Sequence, residues 1–284
     1  MNAARQTVPL VDDRISKRNF EKLADFIYSY SGIKMPPTKM TMLEGRIRRR
    51  LRATGFVRFD DYCDYLFDGD GLEQEAVYLI DAVTTNKTDF FREPNHFAYM
   101  SEHALPDLVR RGVNDIRSWS SACSTGAEPY TMAMVLDNFC AERSATKYSI
   151  LATDLSTEVL ETARRGIYTS DLMSPVPSAF RRRYVMEAVD TRRREVRIHP
   201  QLRAHVGFAR LNLMDQSYPV KTKLHIVFCR NVLIYFDKKT QGGVLTRLCD
   251  CLEKGGYLFI GHSESITGFD LPVKQVANTV FQRI

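Results

Sequence analysis

The run Phe228-Cys229-Arg230-Asn231-Val232-Leu233-Ile234-Tyr235-Phe236 decides the fold. Its apolar residues Ile226 to Phe228 stop abruptly at a small thiol, a cation and an amide. An apolar Val-Leu-Ile and a tyrosine follow. Open α/β sheets build their sites at the carboxyl ends of buried strands. A strand that ends in these groups has the form of one that delivers side chains to a reaction.

Outward from this run, strand and helix patterns alternate from about residue 115, the signature of a parallel α/β sheet. Strands are expected over 116–120, 148–153, 224–229 and 257–260, the last entered through a Gly255-Gly256 turn. Helices are expected over 129–140, 158–165 and 239–252, with a closing antiparallel pair over 273–284. The stretch 167–210 breaks the alternation with Pro175, Pro177, Pro200 and many arginines, and reads as a small inserted β-element.

Upstream, the pattern is helical. Phe20, Leu23, Ala24 and Ile27 fall at helical spacing, with Ser16 as a cap and Gly32 as a stop. Met40, Leu43, Ile47 and Leu51 mark a second helix, 60–67 a third, and Leu72, Ala76, Leu79, Ile80 and Val83 a fourth. Four such helices can close a small domain. The expected organisation is a helical domain over 1–83, a linker and first helix over 84–114, and an α/β domain over 115–284 with its insertion at about 167–210.

The 284 residues carry 44% hydrophobic and 26% charged residues, the balance of a soluble globular protein. No apolar run reaches membrane-spanning length, and the first residues lack the pattern of a signal peptide, so a cytoplasmic location without membrane insertion is expected. The six cysteines are scattered without C-x-x-C and read as reduced thiols. The six histidines lack metal-ligand spacing, and no metal is expected.

The net charge of +6 is local. Residues 1–60 hold thirteen basic and six acidic side chains, and 181–203 hold eight arginines and three acids. Arg46, Arg48, Arg49, Arg50 and Arg52 place five arginines in seven positions, which reads either as a solvated helix face or as a surface for an anionic partner.

Three further segments carry chemistry. Ser120 to Tyr130 joins a strand to its helix through small residues and Gly126, which suits close backbone approach to a ligand. Thr125 and Glu128 have capping-box spacing, so the loop also reads simply as a capped helix. Asp154 ends the next strand, where an acid can accept hydrogen bonds from ribose hydroxyls or serve a helix start. Thr84 to Glu93 combines polar groups, two phenylalanines and Arg92, which can pair with a carboxylate.

The segments Thr85 to Glu93, Ser120 to Tyr130, Leu211-Asn212-Leu213, Phe228 to Phe236 and Gly261-His262-Ser263-Glu264, in this order, resemble the chemotaxis receptor methyltransferases, the CheR family. The resemblance spans about 15–284. It implies a Rossmann-like α/β methyltransferase sheet with an inserted small β-subdomain, preceded by a small all-helical N-terminal domain. It further implies transfer of methyl from S-adenosylmethionine to glutamate side chains on the cytoplasmic helical bundle of a chemoreceptor, leaving S-adenosylhomocysteine.

On this resemblance Asn86, Thr88, Arg92, Glu128, Asp154, Asn212, Leu213, Arg230 and Asn231 are the expected cofactor residues. Arg92 and Tyr235 are expected near the transferred methyl and the incoming carboxylate. Arg46, Arg49 and Arg50 are expected to dock the receptor. Whether a receptor tail peptide binds the β-subdomain stays open; a monomer without nucleic-acid partners is expected. Two positions depart from the family pattern: Ala127, where relatives have a second acid, and Glu253-Lys254-Gly255-Gly256 at a turn. The competing reading is a nucleic-acid methyltransferase that uses the basic N-terminal helix.

Overall fold

The computed structural model describes residues 13–143 and 146–284. The chain divides into two compact units, one ending at Thr84 and the other comprising Thr85–Ile284.

The first unit consists of α1 (Lys17–Ser31), α2 (Met40–Thr54), α3 (Phe59–Phe67) and α4 (Gly71–Val83). The Ser16 side chain caps α1 by accepting from the Asn19 N–H, and Gly32 ends it at φ 73°. Gly55 ends α2 at φ 83°, a left-handed conformation that costs glycine little. Phe20, Leu23, Ile27, Leu43, Ile47, Phe59, Tyr62 and Leu79 are almost fully buried and form the core that holds the helices together.

In the second unit, α5 (Pro94–Tyr99) passes through a π-helical turn, Met100–Ala104, into α6 (Leu105–Arg110). There follow β1 (Asp115–Ser120), α7 (Ala127–Ala141), β2 (Lys147–Asp154), α8 (Thr157–Arg165) and β3 (Ile167–Thr169). The excursion continues through α9 (Ser178–Tyr184), β4 (Val185–Glu187), β5 (Glu195–Ile198) and α10 (Pro200–Arg203). It closes with β6 (Val206–Arg210), β7 (Leu224–Cys229), α11 (Lys238–Cys251), β8 (Leu252–Ile260), β9 (Val273–Ala277) and β10 (Val280–Arg283).

The large sheet has the order β6-β2-β1-β7-β8-β10-β9. Strands β6, β2, β1, β7 and β8 are parallel, and β10 and β9 run antiparallel at the end. The chain winds outward from β1 to β6 and then returns to the other side of β1 as β7. The switch point therefore lies between the carboxyl ends of β1 and β7, where such sheets bind ligands. Every residue of β7 is buried, as expected for a central strand covered on both faces.

Two sequence expectations need correction. Helix α7 starts at Ala127, and Gly126 at φ 95° replaces the expected Thr125–Glu128 capping box. The Glu128 side chain instead accepts from the Ser120 hydroxyl at 2.7 Å. The inserted element is also shorter than 167–210. Its three-stranded sheet is β3-β5-β4, whereas β6 pairs with β2 in the large sheet. The Val206/Phe208 alternation is that of an edge strand, which a short insertion strand shares. The Gly255-Gly256 turn lies inside β8 and accounts for its register shift against β7.

Candidate active site

Several segments meet at the carboxyl ends of the central strands. The loop after β1 is tied on both sides: the Ser121 N–H donates to the Phe228 carbonyl at 2.9 Å, and the Cys123 N–H to the Thr153 carbonyl at 2.8 Å. A side chain at Gly126 would come within 2.8 Å of the Tyr168 hydroxyl, which itself donates to the Thr125 carbonyl. The loop thus lies close against its neighbours and leaves its backbone toward the strand ends.

Asp154, at the end of β2, accepts from the Ser124 N–H at 2.8 Å and from the Ser156 N–H at 3.0 Å. Ser156, not Asp154, caps α8. The Ser124 hydroxyl donates to the Asn86 carbonyl at 2.8 Å, so the segment entering the unit is fastened to the same loop. Phe90 and Phe91 anchor that segment, Phe90 edge-on to Tyr168 and Phe91 against Phe97 and Phe180. Thr88 and Arg92 are half-buried beside them. Arg92 donates to the Lys87 carbonyl.

Arg230 is the electrostatic centre. Its side chain is 1% exposed, and Nε and Nη2 donate to Glu93 Oε2 at 3.3 and 3.2 Å. Nη2 also donates to the Arg92 carbonyl, and Nη1 lies 3.3 Å from Glu128 Oε2. The guanidinium sits 5.4 and 5.5 Å from the ring centres of Phe97 and Phe228. The sequence expectation placed Arg230 against the cofactor. Within the chain it also acts as a brace, its charge shared between two carboxylates.

The charge of Arg230 favours the ionised form of both Glu93 and Glu128, yet their carboxyls end up shifted in opposite directions. Burial alone would raise the Glu93 carboxyl, but hydrogen bonding from Asn231 and the charge of Arg230 hold it below the usual range. At Glu128 burial prevails and pushes the carboxyl up, against Arg230 and the Ser120 hydroxyl. Two acids around one cation leave a negative balance, which suits a cationic sulfonium.

Asn231 has φ 57°, and its side chain donates to Glu93 Oε1 at 3.1 Å. Tyr235 ends the short 3-10 turn Leu233–Tyr235 and packs partly buried against the apolar cluster that holds Trp119, Leu213 and Leu233. Asn212 accepts the Met214 N–H on its own side chain, and the Leu213 carbonyl accepts from Tyr218 and Arg247. These bonds fix the loop after β6, next to the end of β2.

Glu93, His96 and Glu264 carry no role in the sequence reading. Glu93 and Glu264 stand in the quoted motifs, next to Arg92 and two residues after His262, which was their signal. His96 Nε2 lies 2.8 Å from the Thr279 hydroxyl, and its Nδ1 lies 3.4 Å from Glu93 Oε2. Burial and the charge of Arg230 lower the His96 pKa to about 4. Glu93, His96 and His262 bring ligand atoms within 4.8 Å of one another. Both Glu93 oxygens already accept hydrogen bonds, from Arg230, Asn231 and the His262 N–H, so the group is a hydrogen-bonded acid rather than a prepared ligand set.

The arginines of α2 divide within their own unit. Arg50 pairs with Glu75 through two bonds of 3.0 and 2.8 Å, and Tyr62 donates to the same carboxylate. Arg46 donates to the Val83 and Thr84 carbonyls at the end of α4. Both thereby help to hold the helical unit together. Arg49 and Arg52 are exposed.

The CheR methyltransferase SAM-binding domain matches residues 86–281, and the CheR all-alpha domain matches residues 18–84. A chemotaxis protein methyltransferase of Borreliella burgdorferi is 38% identical over 89% of this chain and 90% of its own. Another, from Escherichia coli, is 36% identical over 94% of this chain and 91% of its own. Among the described residues no helix is long and apolar enough to cross a membrane.

Proposed function

The chain belongs to the CheR methyltransferase family, a family of S-adenosylmethionine-dependent enzymes, and from that premise we propose that it methylates glutamate side chains on the cytoplasmic helices of a chemoreceptor. What carries the reading is the match of both units, helical and catalytic, to chemotaxis methyltransferases over about nine-tenths of either chain. A cytoplasmic site of action goes with it.

The residues fit the cofactor. Asp154 would accept the ribose hydroxyls at the end of β2, with Asn212 and Leu213 bordering the base. Glu128, Asn86, Thr88, Arg230 and Asn231 would lie toward the amino-acid and ribose parts, and Glu93 with Glu128 would keep the surroundings of the sulfonium negative. When bound, S-adenosylmethionine supplies an activated methyl group. The nucleophile is a glutamate carboxylate with a reference pKa of about 4.3, ionised at neutral pH, so no general base is needed. His96, whose pKa burial and the charge of Arg230 lower to about 4, accordingly stays neutral there. Arg92 orients the incoming carboxylate and Tyr235 hydrogen-bonds it. Catalysis is then mainly a matter of placing the two reactants in line.

The test is methyl transfer from labelled S-adenosylmethionine to a receptor cytoplasmic fragment. Label released as methanol by mild base supports the reading. Base-stable label, or label on RNA in place of the receptor, refutes it.

A further inference from the structure

Glu264 is buried, yet it stands outside every role assigned above. Its Oε2 accepts the Gly261 N–H at 2.6 Å and the Asn231 N–H at 3.0 Å. Its Oε1 accepts the Leu233 N–H at 2.8 Å. One carboxylate thereby joins the end of β8 to both halves of the turn after β7. That turn carries Asn231, held at φ 57°, and the 3-10 segment that ends in Tyr235.

The neighbourhood is built around this carboxylate. A Cβ at Gly261 would lie 2.6 Å from Asn231 Nδ2, 2.8 Å from Glu264 Oε2 and 2.9 Å from the Asn231 nitrogen. The glycine is required because the acid and the turn close on it from both sides. The Asn231 side chain is then left to donate to Glu93, which holds Arg230. A chain of contacts runs from Glu264 through the Asn231 backbone to the acids around the proposed sulfonium position.

We propose that Glu264 is a positioning residue for methyl transfer: by gathering backbone N–H groups from both segments it locks the turn after β7 and so aims Asn231 and Tyr235 at the cofactor and the substrate. The inference rests on the proposed use of this turn for S-adenosylmethionine. Glutamine is the informative replacement. It keeps the shape but has one accepting oxygen and one donating NH2 group. Either orientation sets that NH2 against a backbone N–H, so Glu264→Gln breaks one arm of the lock without opening a cavity.

The experiment measures S-adenosylmethionine binding by calorimetry and amide hydrogen exchange on the wild type, Glu264→Gln and Gly261→Ala. Loss of a hydrogen bond to a charged group predicts binding weaker by about tenfold or more. Faster exchange confined to 230–236 and 261–265 is expected in either variant. Binding within about twofold of wild type, or exchange accelerated evenly through the whole unit, overturns the proposal. If neither variant folds, Glu264 is structural and the proposal fails. A folded wild type that binds no S-adenosylmethionine refutes the cofactor assignment instead.

Discussion

Arg230→Met tests the electrostatic brace. Methionine keeps most of the stem packed near Phe97 and Phe228 and deletes the charge. Glu93 and Glu128 then lie together without their cation. Breaking a buried pair by removing one partner costs about 3–5 kcal/mol. For a unit of this size each kcal/mol lowers Tm by about 2–4 °C, so the variant is expected to melt about 6–20 °C lower. The pH dependence is diagnostic. In the wild type the depressed Glu93 carboxyl contributes stability above its unfolded value of 4.5, and this is lost as pH falls through its lower folded value. In the variant Glu128, already raised by burial, rises further without Arg230. Its cost is full above that folded value and disappears as pH falls below its unfolded value of 4.5. His96 is relieved of the same cation and protonates more readily in acid. The Glu128 and His96 effects narrow the Tm gap between wild type and variant as pH falls toward about 4.5, and the Glu93 effect adds to them below it. Differential scanning calorimetry between about pH 8 and about pH 4.5 measures it. A gap that is absent at the upper end, or that does not shrink in acid, refutes the reasoning.

Tyr235→Phe is expected to bind S-adenosylmethionine normally and to transfer methyl about tenfold more slowly, the value of one hydrogen bond; titration beside initial rates decides it. Arg50→Ala, which strands the mostly buried Glu75, is expected to cost about 2–3 kcal/mol by chemical denaturation. Arg49→Ala, on the exposed face, is expected to leave stability within about 0.5 kcal/mol and to weaken receptor methylation; the reverse pattern refutes the division. His96 and His225 are both buried, with pKa values lowered to about 4 from 6.5, His225 by burial and then by the charge of Arg117. The unfolded chain binds more protons between those values, so stability falls as pH drops from 6.5 to 4, by about 3 kcal/mol for each histidine. A flat stability profile across that window contradicts it.

The order of elements was legible because central parallel strands are continuous apolar runs and their helices carry amphipathic faces. Leu224 to Cys229 read correctly for that reason. The edge strand Val206–Arg210 did not, because an edge and an insertion strand share the same alternation. At the site, Arg230 was visible as a residue but not as a brace. Its partners Glu93 and Glu128 lie 137 and 102 positions away in sequence, and no local pattern encodes such a pairing. The same holds for Arg50 with Glu75, where a dense basic helix read as surface although the fold turns one arginine inward. Glu264 was present in a quoted motif, but backbone N–H groups leave no mark in a sequence.

The most direct test of the account is to map methyl groups by mass spectrometry on a chemoreceptor cytoplasmic fragment after incubation with this protein and S-adenosylmethionine. The account predicts base-labile esters confined to glutamate side chains on the receptor helices. Methyl groups on lysine, arginine or nucleic acid, or an unmodified receptor under conditions where S-adenosylmethionine is bound, would contradict it.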